Sequence, residues 1–419
     1  MDELIERGSY YHTSFFQLFL QGTYNEDLSL LDTTNLGLFV HEYIHYIQNI
    51  GTPWGIYSSI HEYKRVSEVM LQLIEKDEIN IVYTPEYSED YKLRHKEWRI
   101  GEGLDSFDHL VGKSIDSSKE VKLRCEYINL NGKRYRKYYV VLPFIDGSET
   151  TIHLGAKIIR ESMAYMCQCL FDTEYKLKNE LPYKIVELLC AAKYKNIAED
   201  KKKIIAICYI SLFSIRPAEL LIDYLTEANI NPVITYWDLF EKFLSSCINL
   251  KNGKYSVEAF FNMMIDEFQE ILKKLTGTDI PFFKQSLDKA RLSSHDSPLL
   301  AIITTDECPL NFNHIKVLVD YYGLPYIATS NGESAMGCLL ADKEHIASDI
   351  MMMRALSIII DYTTIYHIRH FCPAFMVECD GTAKEDKECT YKPWEGNNCF
   401  FTEALKIFNI DSSKFHLSR

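Results

Sequence analysis

Glycine and proline are scarce in this chain, with 18 and 12 residues among 419. A long flexible linker and a collagen-like region both need many such residues, so neither is expected. Uninterrupted apolar runs of about 18 residues, the length of a membrane span, are lacking too. The longest candidate, 350–365, is broken by Arg354 and Asp361. The N-terminus is acidic and lacks the basic start of a signal peptide, so we expect a soluble, cytoplasmic protein with no membrane partner.

Basic side chains are outnumbered by acidic ones, 45 against 59, which gives a net charge of −14. An acidic surface repels phosphate backbones, so nucleic acid is not expected as a partner. Twelve cysteines are present, several of them inside apolar helical stretches. Without an export signal these are expected to be free thiols that pack as small apolar groups, not a disulfide framework.

Apolar residues recur at helical spacing over most of the chain, including residues 1–77 and 182–292. One helix is predicted over 36–50, because Asp32-Thr33-Thr34-Asn35 offers several possible N-cap residues before it and Gly51 is a typical terminator. The segment 85–118 is charged and is predicted to be rich in loops.

Strand-like alternation is concentrated between residues 79 and 154. The runs 121–130 and 135–144 are joined by Asn131-Gly132, a pair typical of a hairpin turn, and 151–154 is predicted to return as a third strand. The predicted fold class is therefore α+β and predominantly α-helical, with a β-hairpin insertion.

The sharpest motif is His41-Glu42-Tyr43-Ile44-His45. Residues four apart share one face of a helix, so His41 and His45 can chelate one ion. Glu42 projects about 100° round the helix, close enough to act as general base on a water at the metal without binding the ion. The surrounding helix is apolar, and two uncompensated imidazoles there would be costly to bury. A pair of hydrogen-bonded core histidines without metal is the alternative.

Zinc needs a third protein ligand, and no third histidine follows the motif closely. Two glutamates are candidates. Glu161 lies in an apolar helical stretch, where a lone carboxylate otherwise lacks a partner. Glu62 lies in a polar stretch typical of a solvated helix face, so Glu161 is favoured over it.

The histidine pair and a downstream helix carrying Glu161-x-x-Ala164 resemble the gluzincin group of zinc metallopeptidases, over about residues 32–170. The resemblance implies zincin-like active-site helices, metal ligands His41, His45 and Glu161, and Glu42 as base. One departure is the 116-residue stretch from His45 to Glu161, which is much longer than in compact members of the group. The β-rich segment 79–154 is then an insertion beside the cleft.

Other polar residues near these positions have weaker claims. Gln48 lies one turn beyond His45 and can either orient a ligand or close the buried face. Tyr165 and His153 can reach the site, but packing and surface roles are favoured for them. Four cysteines between 372 and 400 lack the Cys-x-x-Cys spacing of zinc knuckles, so free thiols are favoured over a structural zinc. They are Cys372, Cys379, Cys389 and Cys399.

We predict two regions, a zincin-like catalytic region over 1–175 and a helical lobe over 176–419 with the cysteine-containing loop 372–400. The predicted function is that of a zinc metallopeptidase that hydrolyses a peptide bond in a protein substrate, with Glu42 activating a zinc-bound water. Proteolysis inside a cell needs restraint, which suggests a regulatory protein partner or a narrow substrate. The alternatives are a helical interaction protein that zinc staples together without hydrolysis, and a metal-free helical scaffold.

Overall fold

A computed structural model describes most of the chain up to Thr329, together with short segments beyond it. The described residues are 9–12, 16–20, 28–81, 85–103, 113–116, 118–175, 181–250, 253–277, 279–293, 297–329, 334–336, 402, 405–406 and 408–417. The cysteine-containing loop 372–400 lies outside these residues.

Helices predominate and the sheets are small, so the α+β, predominantly α-helical class is confirmed. The helices are α1 (Thr33–Ile50), α2 (Pro53–Glu75), α3 (Glu89–Glu102), α4 (Ala156–Phe171), α5 (Ile185–Lys193), α6 (Lys201–Ser211), α7 (Pro217–Ile230), α8 (Tyr236–Leu244), α9 (Val257–Thr276), α10 (Pro281–Ser293), α11 (Pro298–Ile303) and α12 (Phe312–Tyr322). The strands are β1 (Tyr10–His12), β2 (Gln17–Leu20), β3 (Ile79–Ile81), β4 (Lys122–Leu130), β5 (Lys133–Pro143), β6 (Glu149–Leu154), β7 (Cys247–Leu250), β8 (Gly253–Ser256), β9 (Tyr326–Thr329), β10 (Ser334–Met336) and β11 (Phe415–Leu417).

The predicted hairpin is confirmed as part of an antiparallel sheet in the order β4-β5-β6. Asn131 and Gly132 form its turn, and both have positive φ, as a type I′ turn requires. A second sheet has the order β1-β2-β9-β10, in which β2 runs parallel to β9. The pairs β7-β8 and β3-β11 complete the strands of the described segments.

Three segments differ from the sequence prediction. Within the predicted helical stretch 182–292, residues 247–250 and 253–256 form the antiparallel strands β7 and β8, because they pair with each other. Residues 10–12 and 17–20, predicted helical, form β1 and β2, because Leu18 and its neighbours pair with β9, some 300 residues away in sequence. Residues 89–102, predicted as loop, form α3. Its charges pair along the helix surface: Lys92 lies 2.7 Å from Glu89, and Arg94 lies 2.7 Å from Asp90.

Helix α1 is buried over most of its length. The Asp32 side chain accepts a hydrogen bond from the Asn35 amide at 2.8 Å, and Gly51 ends the helix, as predicted. One side of α1 is pinned by tyrosine hydroxyls. Tyr43 donates to the carbonyl oxygen of Gly323 at 2.6 Å, and Tyr46 donates to that of Tyr322 at 3.2 Å. These carbonyls lie at the end of α12, so α1 closes a helix terminus that would otherwise be unsatisfied.

Helix α4 begins directly after β6, at a tight contact with the end of α3. A Cβ on Gly155 would lie 2.5 Å from the carbonyl carbon of Glu102 and 2.5 Å from the amide nitrogen of Gly103. Only glycine fits there, because a Cβ would overlap main-chain atoms. The main chain therefore passes tightly from strand β6 into helix α4 at residues 154–156.

The chain forms two compact units, each built from discontinuous segments. The first comprises Met1–Ser59, His95–Glu270 and Phe283–Leu339, and the second comprises Ile60–Arg94, Ile271–Phe282 and Leu340–Arg419. The predicted regions 1–175 and 176–419 stay a prediction. Among the described helices, none combines the length and apolarity that crossing a membrane requires.

The tyrosine contacts behind α1 predict a stability difference. Tyr43→Phe removes the hydroxyl that donates to Gly323 and leaves a partly buried carbonyl oxygen with one partner fewer. The free energy of unfolding should fall by about 1–3 kcal/mol. The matched control is Tyr127→Phe, since Tyr127 is exposed, and it should change stability by less than about 0.5 kcal/mol. Urea titrations measure both, and equal midpoints for the two variants would contradict the role of this contact.

Candidate metal centre

Helices α1 and α4 pack antiparallel and form the framework of the candidate site. Near one end the Gln48 side chain donates to the carbonyl oxygen of Arg160 at 3.1 Å. At the other end Gly37 faces Asp172, and a Cβ on Gly37 would lie 3.1 Å from the Asp172 Cβ. The absence of a side chain at Gly37 therefore lets the two helices approach closely one turn before His41.

Three of the predicted site residues come together between these helices. The Nε2 atom of His41 lies 3.7 Å from Oε2 of Glu161, and that of His45 lies 3.6 Å from the same oxygen. The two imidazole rings stand nearly perpendicular, with centroids 5.0 Å apart. Among the described residues, these three form the group whose ligand atoms all lie close enough to share one ion, within 4.8 Å of one another.

These separations fit a shared zinc ion. Ligands that bind zinc at about 2.0–2.1 Å in tetrahedral geometry lie about 3.3 Å from each other. Hydrogen bonds from nitrogen to oxygen are shorter, about 2.7–3.2 Å. Both nitrogen–oxygen distances to Glu161 are longer than such hydrogen bonds. Two histidines and one glutamate are also a ligand set of catalytic zinc sites, which keep a fourth position open.

Glu161 is held ionised by its neighbours. Burial raises the pKa of its carboxyl, but the imidazoles of His45 and His41 outweigh that effect, and the pKa lies well below its usual range. The side chain remains 28% exposed, whereas those of His41 and His45 are 11% and 13% exposed. The carboxylate is therefore available as an anionic ligand on the more open side of the group.

Glu42 lies next to the group on α1 and is buried. Burial raises the pKa of its carboxyl, the interaction with His41 lowers it and the negative charge of Glu161 raises it, with a net pKa of about 7. The main-chain N–H of Tyr11 on β1 donates a hydrogen bond to the Glu42 carboxyl, which also lowers its pKa. Glu42 thus interacts electrostatically with one ligand from each helix.

The structure adds two residues that sequence reasoning missed. Tyr11 contacts Glu42 through its main-chain N–H, so the identity of its side chain could not have indicated this contact in the sequence. Tyr183 packs its ring edge-on against His41, with centroids 5.7 Å apart. It lies well away in sequence, and a lone tyrosine is too common to identify. Gln48, for which two roles were open, makes a contact of 2.9 Å between its Oε1 and Nδ1 of His45.

The rival and weaker candidates take other positions. Glu62 forms a two-pronged ion pair with Arg65 on the same helix, at 2.7 and 3.1 Å. Tyr165 is buried and packs near Tyr183, with ring centroids 6.2 Å apart, in agreement with the favoured packing role. His153 is partly buried on β6, and its ring packs against Tyr139. The four cysteines of the loop 372–400 lie outside the described residues.

The chain matches no protein-family model, no curated protein and no solved structure. What the group does chemically is therefore inferred from its own geometry.

The choice between the two glutamates can be tested by metal content. Glu161→Ala removes the oxygen on which both imidazoles converge. Loss of a residue that only supports a ligand lowers metal affinity about 10–100-fold, and loss of Glu161 should lower zinc affinity by more than that. Glu62→Ala is the matched control and should leave the affinity unchanged. Elemental analysis and competition with a chelator measure both variants. A larger loss in Glu62→Ala would show that the third ligand is misassigned.

The close helix contact predicts a second effect. Gly37→Leu forces α1 and α4 apart, because its side chain would overlap Asp172. Zinc affinity should fall about tenfold or more, since overpacking a tight contact costs about 1–3 kcal/mol. Thr34→Leu places the same side chain at an exposed position of α1 and should have no effect. Circular dichroism checks that both variants are folded. Equal zinc affinity in the two would show that the contact between Gly37 and Asp172 does not control the spacing of the ligands.

Proposed function

We propose that this chain is a zinc-dependent peptidase with zincin-like active-site helices, which hydrolyses a peptide bond in a protein substrate. The observation that carries the proposal is the convergence of His41, His45 and Glu161 on one point, with Glu42 buried beside them. Three protein ligands leave one coordination position open, as catalytic zinc sites require and closed structural sites do not.

When bound, zinc lowers the pKa of a coordinated water to about 7 and polarises a carbonyl oxygen. The protein's part is to hold the ligands and move the proton. The Nε2 atoms of His41 and His45 and an oxygen of Glu161 would hold the ion. The buried surroundings of these groups limit access of bulk water, which strengthens the electrostatic interactions among them.

Glu42 is proposed as general base and then general acid. It follows His41 directly, so its side chain leaves α1 about 100° away from the ligand and does not compete for the ion. Its carboxylate takes the proton of the attacking water and delivers it to the nitrogen of the leaving amine. The hydrogen bond from the Tyr11 amide restrains the carboxylate.

The resemblance to gluzincins is part of the proposal. Two short motifs carry it, the 41–45 motif of α1 and Glu161-x-x-Ala164 of α4. Within it, the sheet β4-β5-β6 belongs to the long insertion between His45 and Glu161. Control by a protein partner or a narrow substrate, and a cytoplasmic location, stay predictions.

The mechanism predicts that zinc binding and hydrolysis can be separated. Glu42→Gln keeps the size of the side chain and removes the basic carboxylate, so zinc content should equal that of the wild type. Cleavage should fall about 10²–10⁴-fold, the usual contribution of a general base. Zinc is measured by elemental analysis, and cleavage is measured with a library of quenched fluorescent peptides and by mapping new termini in a cell lysate.

Glu62→Gln is the matched control, a glutamate that pairs with Arg65, and it should cleave as the wild type does. Cleavage that persists in Glu42→Gln would contradict the role of Glu42. Wild-type protein that holds zinc and cleaves nothing would favour the zinc-stapled interaction protein instead. Protein that holds no zinc would contradict both.

A further inference from the structure

We propose that Gln48 is a positioning residue for His45. It fixes the tautomer of His45, so that Nε2 of the imidazole presents a lone pair to the metal. It also links this ligand to α4, the helix that carries Glu161. The inference rests on the proposed metal site, but its first half concerns hydrogen bonds that exist without metal.

The orientation of the Gln48 amide follows from its partner on α4. The carbonyl oxygen of Arg160 can only accept a hydrogen bond, so the Gln48 atom 3.1 Å away must be the amide nitrogen Nε2. Turning the amide over would place two acceptor oxygens against each other. The oxygen Oε1 of Gln48 is therefore the atom that faces His45.

The tautomer of His45 follows from this orientation. Oε1 of Gln48 can only accept, so Nδ1 of His45, 2.9 Å away, must carry a proton and donate it. A neutral imidazole has one protonated nitrogen. The other nitrogen, Nε2, then holds a lone pair, and it is this atom that lies 3.6 Å from the Glu161 oxygen. In its neutral form the ring is thus prepared as a metal ligand before any ion binds.

The same amide also couples the two ligand helices. Arg160 immediately precedes Glu161, so Gln48 links His45 to the main chain one residue from the third ligand. The Arg160 guanidinium is itself held by Glu102 at 2.5 Å, and Glu102 accepts a further hydrogen bond from Nε1 of Trp54 at 3.2 Å. Gln48 is fully buried, which leaves little freedom for its amide to rotate.

His41 provides an internal contrast. Its Nδ1 atom is buried and has no hydrogen-bond partner among the described residues. Its ring is restrained by packing against Tyr183 instead. Within the part of the chain that the structure covers, a directed hydrogen-bond relay therefore orients His45, whereas aromatic contact orients His41.

Two variants of Gln48 separate the hydrogen bond to His45 from the tie to α4. Gln48→Glu keeps an acceptor for Nδ1 of His45 but cannot donate to the Arg160 carbonyl oxygen. Gln48→Met has similar length and loses both interactions. If Gln48 orients the ligand, zinc affinity should fall about 10–100-fold in Gln48→Met, and Gln48→Glu should retain most of the affinity. A purely structural tie to Arg160 would lower the affinity equally in both.

Gln168→Met is the matched control, because Gln168 is a buried glutamine of α4 whose amide nitrogen has no hydrogen-bond partner in the described residues. It should leave zinc affinity within about threefold. Zinc affinity is measured by chelator competition. The visible spectrum of the cobalt-loaded protein reports the ligand geometry and should change in Gln48→Met alone. Equal zinc affinities for wild type and Gln48→Met would overturn the inference.

The tautomer is tested on metal-free protein by ¹⁵N resonances of labelled histidine, with His45→Gln to assign the signal. We expect a protonated Nδ1 in the wild type and a tautomer mixture in Gln48→Met. A protonated Nε2 in the wild type would overturn the inference. Wild-type protein with the expected tautomer but no zinc binding would instead contradict the proposed function, so the two failures are distinguishable.

Discussion

Two imidazoles and two carboxylates share the buried contact between α1 and α4, and this concentration of polar groups governs the arrangement around it. Polar groups removed from water cost free energy unless partners satisfy them. Here the partners are each other. An oxygen of Glu161 lies near the imidazoles of both histidines, and the carboxyl of Glu42 accepts a main-chain hydrogen bond from β1. A cation at the convergence point would satisfy both Nε2 atoms at once, which no single hydrogen-bond donor can do.

The rest of the first compact unit holds this contact from several sides. Tyr43 and Tyr46 fasten the far side of α1 to the end of α12, and Gly155 lets α4 start directly against α3. The absence of a side chain at Gly37 lets the two helices approach closely. A metal site requires ligand positions within about 0.5 Å of the productive geometry, and such precision comes from rigid helices supported by their surroundings.

The sequence predicted the parts of this site that depend on local spacing. His41, Glu42 and His45 follow from helical periodicity, and Glu161 followed from the improbability of a lone carboxylate in an apolar helix. Local spacing could not establish that Glu161 lies close to the two histidines, because 116 residues separate His45 from Glu161. The contributions of Tyr11 and Tyr183 depend on tertiary contacts, and β1 and β2 were mistaken for helix because their pairing partner β9 is distant in sequence. Helix α3 was predicted as loop because its sequence is polar and charged. The ion pairs between those charges stabilise it as a helix.

The two glutamates of the site lie in different surroundings, which give identical side chains different acid–base properties. Glu161 faces two imidazoles, which stabilise its negative charge and hold its pKa well below the usual range. Glu42 is buried and does not face two imidazoles as Glu161 does, and burial raises its pKa to about 7. A permanently ionised carboxylate suits a ligand, and one that gains and loses a proton near neutrality suits acid–base catalysis. Both assignments agree with the directions in which the side chains leave their helices, so geometry and electrostatics give the same division of roles.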